Sequence, residues 1–197
     1  MTAEEKQKKL DELAQSIIDA KLTPELARQA TQLVFGTGNP DADVVFIGEA
    51  PGKNEDLKGE PFVGAAGKFL NEMLASVDLR REDIYITNIV KYRPPNNRDP
   101  LPDEKNQFWP YLLKQIAIIR PKVIATLGRH SGQAFLKDLH ISVDHGHPKR
   151  IKVILDKEPQ SIVILPLYHP AAALYNGGLR ETLLEDFHIV KNIINSN

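Results

Sequence analysis

Apolar residues recur along this chain with two different periods. In "TAEEKQKKLDELAQSIIDAK" (2–21), Leu10, Leu13, Ile17 and Ile18 share one face at helical spacing, and Thr2 and Glu5 have the separation of a capping box. "TPELARQA" predicts a second, short helix, with Thr23 just before Pro24 at its first position. Further on, short apolar runs at 43–48, 83–91, 122–128, 150–155 and 161–168 predict strands, the fourth of them an edge strand or hairpin. Between them, Phe69, Leu70, Met73, Leu74 and Val77 keep a helical period, as do Leu183, Phe187, Val190 and Ile194 near the end. "DEKNQFWPYLLKQIAII" predicts another helix, with Pro110 near its first turn or at a kink. Strands without polar alternation, interleaved with helices, predict a mostly parallel sheet covered on both faces. No repeat, low-complexity segment or linker interrupts the pattern. The chain therefore reads as a single domain, 1–197, with 1–30 as an N-terminal helical segment.

The polar segments that follow the strands carry the chemistry. "GEAPGKNEDLKGEPFVG" (48–64) follows the first strand, and its four glycines and two prolines suit neither helix nor strand. "TN" ends the second strand, "GRH" follows the third and "HPAAAL" follows the last. In an open α/β sheet, ligands bind outside the carboxyl ends of the strands, so these loops are expected to converge. A phosphate-cradling loop does not fit, because three residues rather than four separate Gly48 from Gly52 and Asn54 follows the lysine. The carboxylates at 49, 55, 56 and 60, or His145 and His147, offer a metal-dependent alternative, without a helix-spaced histidine pair to support it. Glu49, Asn88 and His169, each at a strand end, form a carboxylate–amide–imidazole set suited to a nucleobase or small molecule. Phe62 adds a face on which a flat ring can stack.

Composition narrows the classes. The chain has 197 residues, 42% hydrophobic and 26% charged, as expected of a soluble globular protein. A formal net charge of −1 gives no global attraction to nucleic acid, leaving that task to any local basic face. There are no cysteines, which excludes disulfides, thiolate-held zinc and thiolate-held iron–sulfur clusters. The charged N-terminus and the shortness of the apolar runs lead us to expect a cytoplasmic protein with no membrane association.

Four blocks carry a family resemblance: "VFGTGNPDADVVFIGEAPGKNEDLKGEPFVGAAGKFL", "IYITNIVKYRPPNNRDPLP", "QIAIIRPKVIATLG" and "YHPAAALYN". In order and spacing they resemble the family 4 uracil-DNA glycosylases from about Val34 to the C-terminal helix. The resemblance implies a three-layer α/β/α sandwich with a central, mostly parallel four-stranded sheet. It also implies a DNA-repair enzyme that flips uracil out of DNA and hydrolyses its N-glycosidic bond. One departure is plain. The family usually holds a [4Fe–4S] cluster on four cysteines, and this chain has Tyr92, Phe108 and the helical "LTPELARQA" in their places. No cofactor or metal is therefore expected. Aromatic packing around Tyr92, Phe108 and Trp109 is expected to replace the cluster as the clamp on the N-terminal segment.

The resemblance also implies roles. Phe62 stacks on the flipped base, Asn88 reads O4 and N3–H, Glu55 lies near C5, and Gly48 and Ala50 complete the uracil pocket. Such amide readout requires neighbouring hydrogen bonds to lock the Asn88 side chain. Neutral His169 donates to O2 of the leaving uracil, and ionised Glu49 favours the oxocarbenium-like sugar and orients water. Ala50 stands where the family 1 enzymes have an aspartate. The expected DNA contacts are Lys91, Arg93, Arg98, Arg129, His130 and Arg180, extended by Lys149 and Arg150. Leu174 or Tyr175 would fill the gap left by the base. The expected partner is uracil-containing DNA, single- or double-stranded, bound by a monomer in a bacterial or archaeal cell. Two alternatives stay open: a non-catalytic uracil- or abasic-DNA-binding protein, and a metal-dependent phosphohydrolase.

Overall fold

The computed structural model describes residues 1–196. Its strands are β1 (Thr37–Gly38), β2 (Val44–Gly48), β3 (Tyr85–Asn88), β4 (Val123–Leu127), β5 (Lys149–Leu155) and β6 (Glu158–Leu167). The helices are α1 (Ala3–Asp19), α2 (Pro24–Gln29), α3 (Lys53–Lys58), α4 (Ala65–Ala75), α5 (Pro102–Ile119), α6 (Arg129–Phe135), α7 (Ile141–Asp144), α8 (Ala172–Tyr175) and α9 (Arg180–Asn195). The strands build one sheet in the order β1-β3-β2-β4-β6-β5. The four central strands run parallel, as expected, but the sheet has six strands rather than four. The two additions are antiparallel edges: β1 on β3, and β5 folded back on β6 as a hairpin. β1 is only two residues long and ends at Gly38, too brief to leave a period in the sequence.

Alternation along the central strands gives each face its own core. Val45 and Ile47 of β2 and Ile124 of β4 join Phe108, Leu112 and Ile116 of α5 and Leu10 and Ile17 of α1. Val44, Phe46, Ala125 and Leu127 face the other way, onto Phe69 and Met73 of α4 and Leu183, Phe187 and Val190 of α9. The result is an α/β/α sandwich. β5 packs Ile151, Val153 and Leu155 on the α5-side core, and its half-buried alternation marks it as an edge.

Helix α1 begins with the reciprocal capping box, Glu5 N–H donating to Thr2 Oγ1 and Thr2 N–H to Glu5 Oε2. Helix α5 runs through Pro110, which lies well inside it rather than in its first turn, on an exposed surface. α3 was not expected. "KNEDLK" forms a six-residue helix between Gly52 and Gly59, the latter left-handed at φ +74°, so the glycines bound the helix instead of preventing it. No described helix is long and apolar enough to cross a membrane.

The N-terminal segment is tied to the body at several points. Tyr92 and Phe108 are buried with ring centroids 6.0 Å apart, in the same core as Leu10, Ile17 and Leu26. Trp109 does not join that pair; it packs on Phe135, 5.0 Å away. Lys6 Nζ donates to the Ile119 carbonyl at 2.8 Å, and buried Asp56 accepts from Thr31 N–H and Oγ1, both at 2.8 Å.

Candidate active site

Parallel pairing places the carboxyl ends of β2, β3, β4 and β6 on one edge of the sheet, with Gly48 beside Asn88 and Leu127 beside Leu167. There they surround a cavity of about 500 Å³ whose walls include Glu49, Ala50, Glu55, Phe62, Asn88, His130 and His169. Gly48 lies directly behind it. A Cβ there would fall 2.3 Å from Asn88 Oδ1 and 2.8 Å from the Phe62 ring, so the absence of a side chain lets both groups occupy the floor.

Phe62 is buried and holds a left-handed backbone at φ +54°, a costly conformation for an aromatic residue. Two groups clamp its loop. Arg81 donates to the carbonyls of Pro61 and Phe62, and Glu55 Oε1 accepts the N–H groups of Val63 and Gly64 at 2.9 Å each. Glu55 thus serves the Phe62 loop as well as lining the cavity. Arg81 carries no motif signal, since it sits in a charged run before β3, and sequence reasoning passed over it.

His169 is partly buried, its ring centroid 5.6 Å from that of Phe62. Its Nδ1 accepts the Ala171 N–H at 3.1 Å, which assigns the ring proton to Nε2. Burial lowers its pKa from 6.5 to about 4, against an opposing pull from the Glu55 carboxylate. The ring is therefore neutral at physiological pH, with Nε2–H as its donor. Gly128, at φ +97°, passes close beneath: a Cβ there would lie 3.1 Å from His169 Cβ.

Glu49 leaves β2 with its carboxylate partly buried. Lys105 Nζ meets it at 2.7 Å and His130 Nδ1 lies 3.6 Å away. The other nitrogen of His130 is 3.6 Å from Asp99 Oδ2. Glu49, Asp99 and His130 have ligand-capable atoms within 4.8 Å of one another, yet the Lys105 ammonium already sits on the carboxylate a cation would need. The acidic cluster suggested by the sequence disperses: Asp56 turns to Thr31, Glu55 to two amides, and Glu60 to solvent. His145 leaves as well, pairing with Asp186 at 2.8 Å. Lys105 and Asp99 escaped sequence reasoning because each is one charge among many on a polar stretch.

The expected DNA contacts divide. Lys91 is corrected outright: its side chain is 0% exposed, lodged under the sheet end, and cannot meet a phosphate. Arg98 and Arg129 are exposed at the cavity mouth, Arg98 in a two-pronged pair with Glu104 at 2.7 and 2.9 Å. Arg93 donates to Asn97 Oδ1 at 2.7 Å. Arg180 lies over the Phe69 ring and pairs with Glu72, and Lys149 pairs with Asp144 at 2.5 Å; like Arg98, each already has a carboxylate partner. Leu174 and Tyr175 project from α8, 49% and 91% exposed.

A parallel α/β/α sandwich whose strand ends hold a carboxylate, an amide, an aromatic ring and a neutral imidazole around one cavity is a set suited to an enzyme acting on a flat, polar ring. The uracil DNA glycosylase superfamily model matches residues 35–188, and the chain belongs to that superfamily. It is similar to the type-4 uracil-DNA glycosylase of Archaeoglobus fulgidus, 47% identical over 180 residues that cover 90% of this chain and 89% of the relative. The type-4 enzyme of Sulfurisphaera tokodaii is 45% identical, covering 93% and 84%. That of Thermotoga maritima is 42% identical, covering 83% and 84%.

The iron–sulfur cluster implied by the family resemblance does not fit this chain. Without cysteine there is no thiolate to hold it.

Proposed function

We propose that this protein excises uracil from DNA, hydrolysing the N-glycosidic bond to leave an abasic site, without a cofactor or metal. The observation that carries the reading is the neutral His169, its Nδ1 occupied by a main-chain N–H and its Nε2–H left for the cavity. The flipped base lies against Phe62, and the Asn88 amide donates to O4 and accepts from N3–H; no side-chain hydrogen bond among the described residues locks the amide in that sense, so its orientation rests on the strand end and on packing against Gly48. As the C1′–N1 bond breaks, its electron pair passes into the ring and onto O2. There the Nε2–H bond strengthens as charge develops, the condition for lowering the barrier. The sugar becomes oxocarbenium-like, and Glu49, held by Lys105, supplies the compensating negative charge and orients water toward C1′. Water's oxygen bonds to C1′ and its proton is released to Glu49 or solvent. Ala50, beside Glu49, supplies no carboxylate of its own.

DNA is gripped by Arg98, Arg129 and His130 at the mouth, and Leu174 or Tyr175 occupies the vacated base position. The test is direct. Uracil-containing single- and double-stranded oligonucleotides are incubated with the protein and excess chelator, then treated with alkali. Strand cleavage at the uracil position is expected. Abolition by chelator, or binding without cleavage, would overturn the reading.

A further inference from the structure

Lys91 occupies a place where a lysine is costly. Its side chain is fully buried, burial pulls its pKa well below the ordinary lysine value, and no carboxylate pairs with it among the described residues. Nζ instead meets three oxygens: Thr87 Oγ1 at 2.5 Å, Gln115 Oε1 at 2.7 Å and the Asn88 main-chain oxygen at 2.8 Å. The neighbours show that all three accept. The Thr87 hydroxyl donates to the Phe35 carbonyl at 2.7 Å, and Gln115 Nε2 donates to that carbonyl at 3.2 Å and to Tyr85 Oη at 3.0 Å. Three acceptors match the three donors of an ammonium. The Phe35 ring, 5.4 Å from Nζ, adds a favourable face for a cation.

The location gives this network a purpose. Thr87 and Asn88 are the last residues of β3. The chain then turns, Ile89 and Val90 donating to the carbonyls of Gly48 and Glu49 at 3.0 Å each, and Lys91 reaches back beneath the strand end. The side-chain hydrogen bonds that reach Asn88 go to its main-chain oxygen. Its amide is therefore oriented through the backbone and by packing against Gly48, not by a lock on the amide itself.

We propose that Lys91 is a positioning residue for base recognition: its three hydrogen bonds fix the Thr87–Asn88 strand end, and with it the angle at which the Asn88 amide meets the pyrimidine edge. This rests on the reading that Asn88 contacts uracil. The experiment compares wild type, Lys91→Met, Gln115→Met and Asn88→Ala, all below their melting transitions. Free uracil as an inhibitor reports the pocket, abasic DNA reports the outer surface, and single-turnover excision reports chemistry. For Lys91→Met, inhibition by uracil is expected to weaken about tenfold and excision to slow by at least as much, while abasic-DNA affinity stays within about twofold. Gln115→Met, which keeps two of the three bonds, shifts the same two readouts less. If Lys91→Met does not fold, Gln115→Met decides by the same pair. Unchanged uracil inhibition, or equal weakening of uracil and abasic-DNA binding, would overturn the proposal. Asn88→Ala separates the two failures. If it weakens uracil and Lys91→Met does not, only the role of Lys91 falls; if it leaves uracil binding intact, the reading of Asn88 falls first.

Discussion

Replacing His169 by alanine removes one donor from the cavity and leaves the DNA-facing loops in place. The magnitude follows from what that donor does. His169 is neutral, its Nδ1 engaged by Ala171, so its contribution is a single Nε2–H bond that strengthens as charge develops on O2. Removing one preorganised donor of this kind costs about 3–4 kcal/mol of transition-state stabilisation, or about 10²–10³ in rate. Single-turnover excision from a uracil oligonucleotide measures the loss, and titration of an abasic duplex measures binding, which is expected to change by less than about threefold. The pH profile supplies the second arm. With a pKa of about 4, His169 adds no inflection to the wild-type rate between about pH 5 and 8. Equal loss of excision and abasic-DNA binding would refute the leaving-group role. An inflection near pH 6.5 that vanishes in the variant would refute the neutral imidazole.

Three further outcomes are expected. Gly48→Ala pushes a methyl group into the space of Asn88 Oδ1 and the Phe62 ring, so excision should fall at least tenfold while circular dichroism stays native; wild-type activity would show that the floor can yield. Phe108→Ala empties a fully buried site beside Tyr92 and should destabilise by about 3–5 kcal/mol, lowering the melting temperature by about 10 °C, whereas Trp109→Ala should cost less. His169 also links stability to acid. Its folded pKa is depressed, so its stabilisation is complete above the unfolded value of 6.5 and is lost as pH falls toward about 4. Urea melts over that window should therefore lose up to about 3 kcal/mol, less any solvent screening, and His169→Gln should flatten that part of the curve.

The central strands were legible because each is a short apolar run bounded by polar or glycine residues, and burial on both faces leaves no other assignment. β1 was not, since two residues hold no period and its pairing is set by β3. α3 was hidden by glycines that mark its two ends. Glu49, Phe62, Asn88 and His169 could be grouped because parallel topology carries every strand's carboxyl end to one side. The residues behind them could not. Arg81 is separated from Phe62 by nineteen positions and meets its carbonyl only after α4 folds back. Lys91 is the sharpest case. "KYRPPNNR" reads as a cationic loop, yet the turn after Asn88 sends its first lysine inward, and no local pattern distinguishes a buried lysine from a solvated one.

The four missing cysteines bear on the body of the molecule more than on its chemistry. Tyr92 links the two regions, because it closes the same segment that begins at Asn88. One side of it packs on Phe108 in the core shared with Leu10, Ile17 and Leu26, and another lines an open cleft of about 530 Å³ together with Pro24, Ala27 and Arg28 of α2. Burying two aromatic side chains contributes roughly 1.5–3 kcal/mol each, which adds to the hydrogen bonds of Thr23 and Thr31 at the two ends of α2 and of Lys6 from α1. None of these contacts passes through Glu49, Phe62 or His169, which are held instead by Lys105, Arg81 and the Ala171 N–H. The clamp on α2 and the pocket therefore meet along residues 88–92 and again at α3, where Asp56 holds Thr31 while its neighbour Glu55 holds the Phe62 loop. A substitution at Tyr92 that loosened α2 should lower stability first, and reach excision as far as it disturbs the Lys91 hydrogen bonds to Asn88 and Thr87 or the Thr31–Asp56 contact.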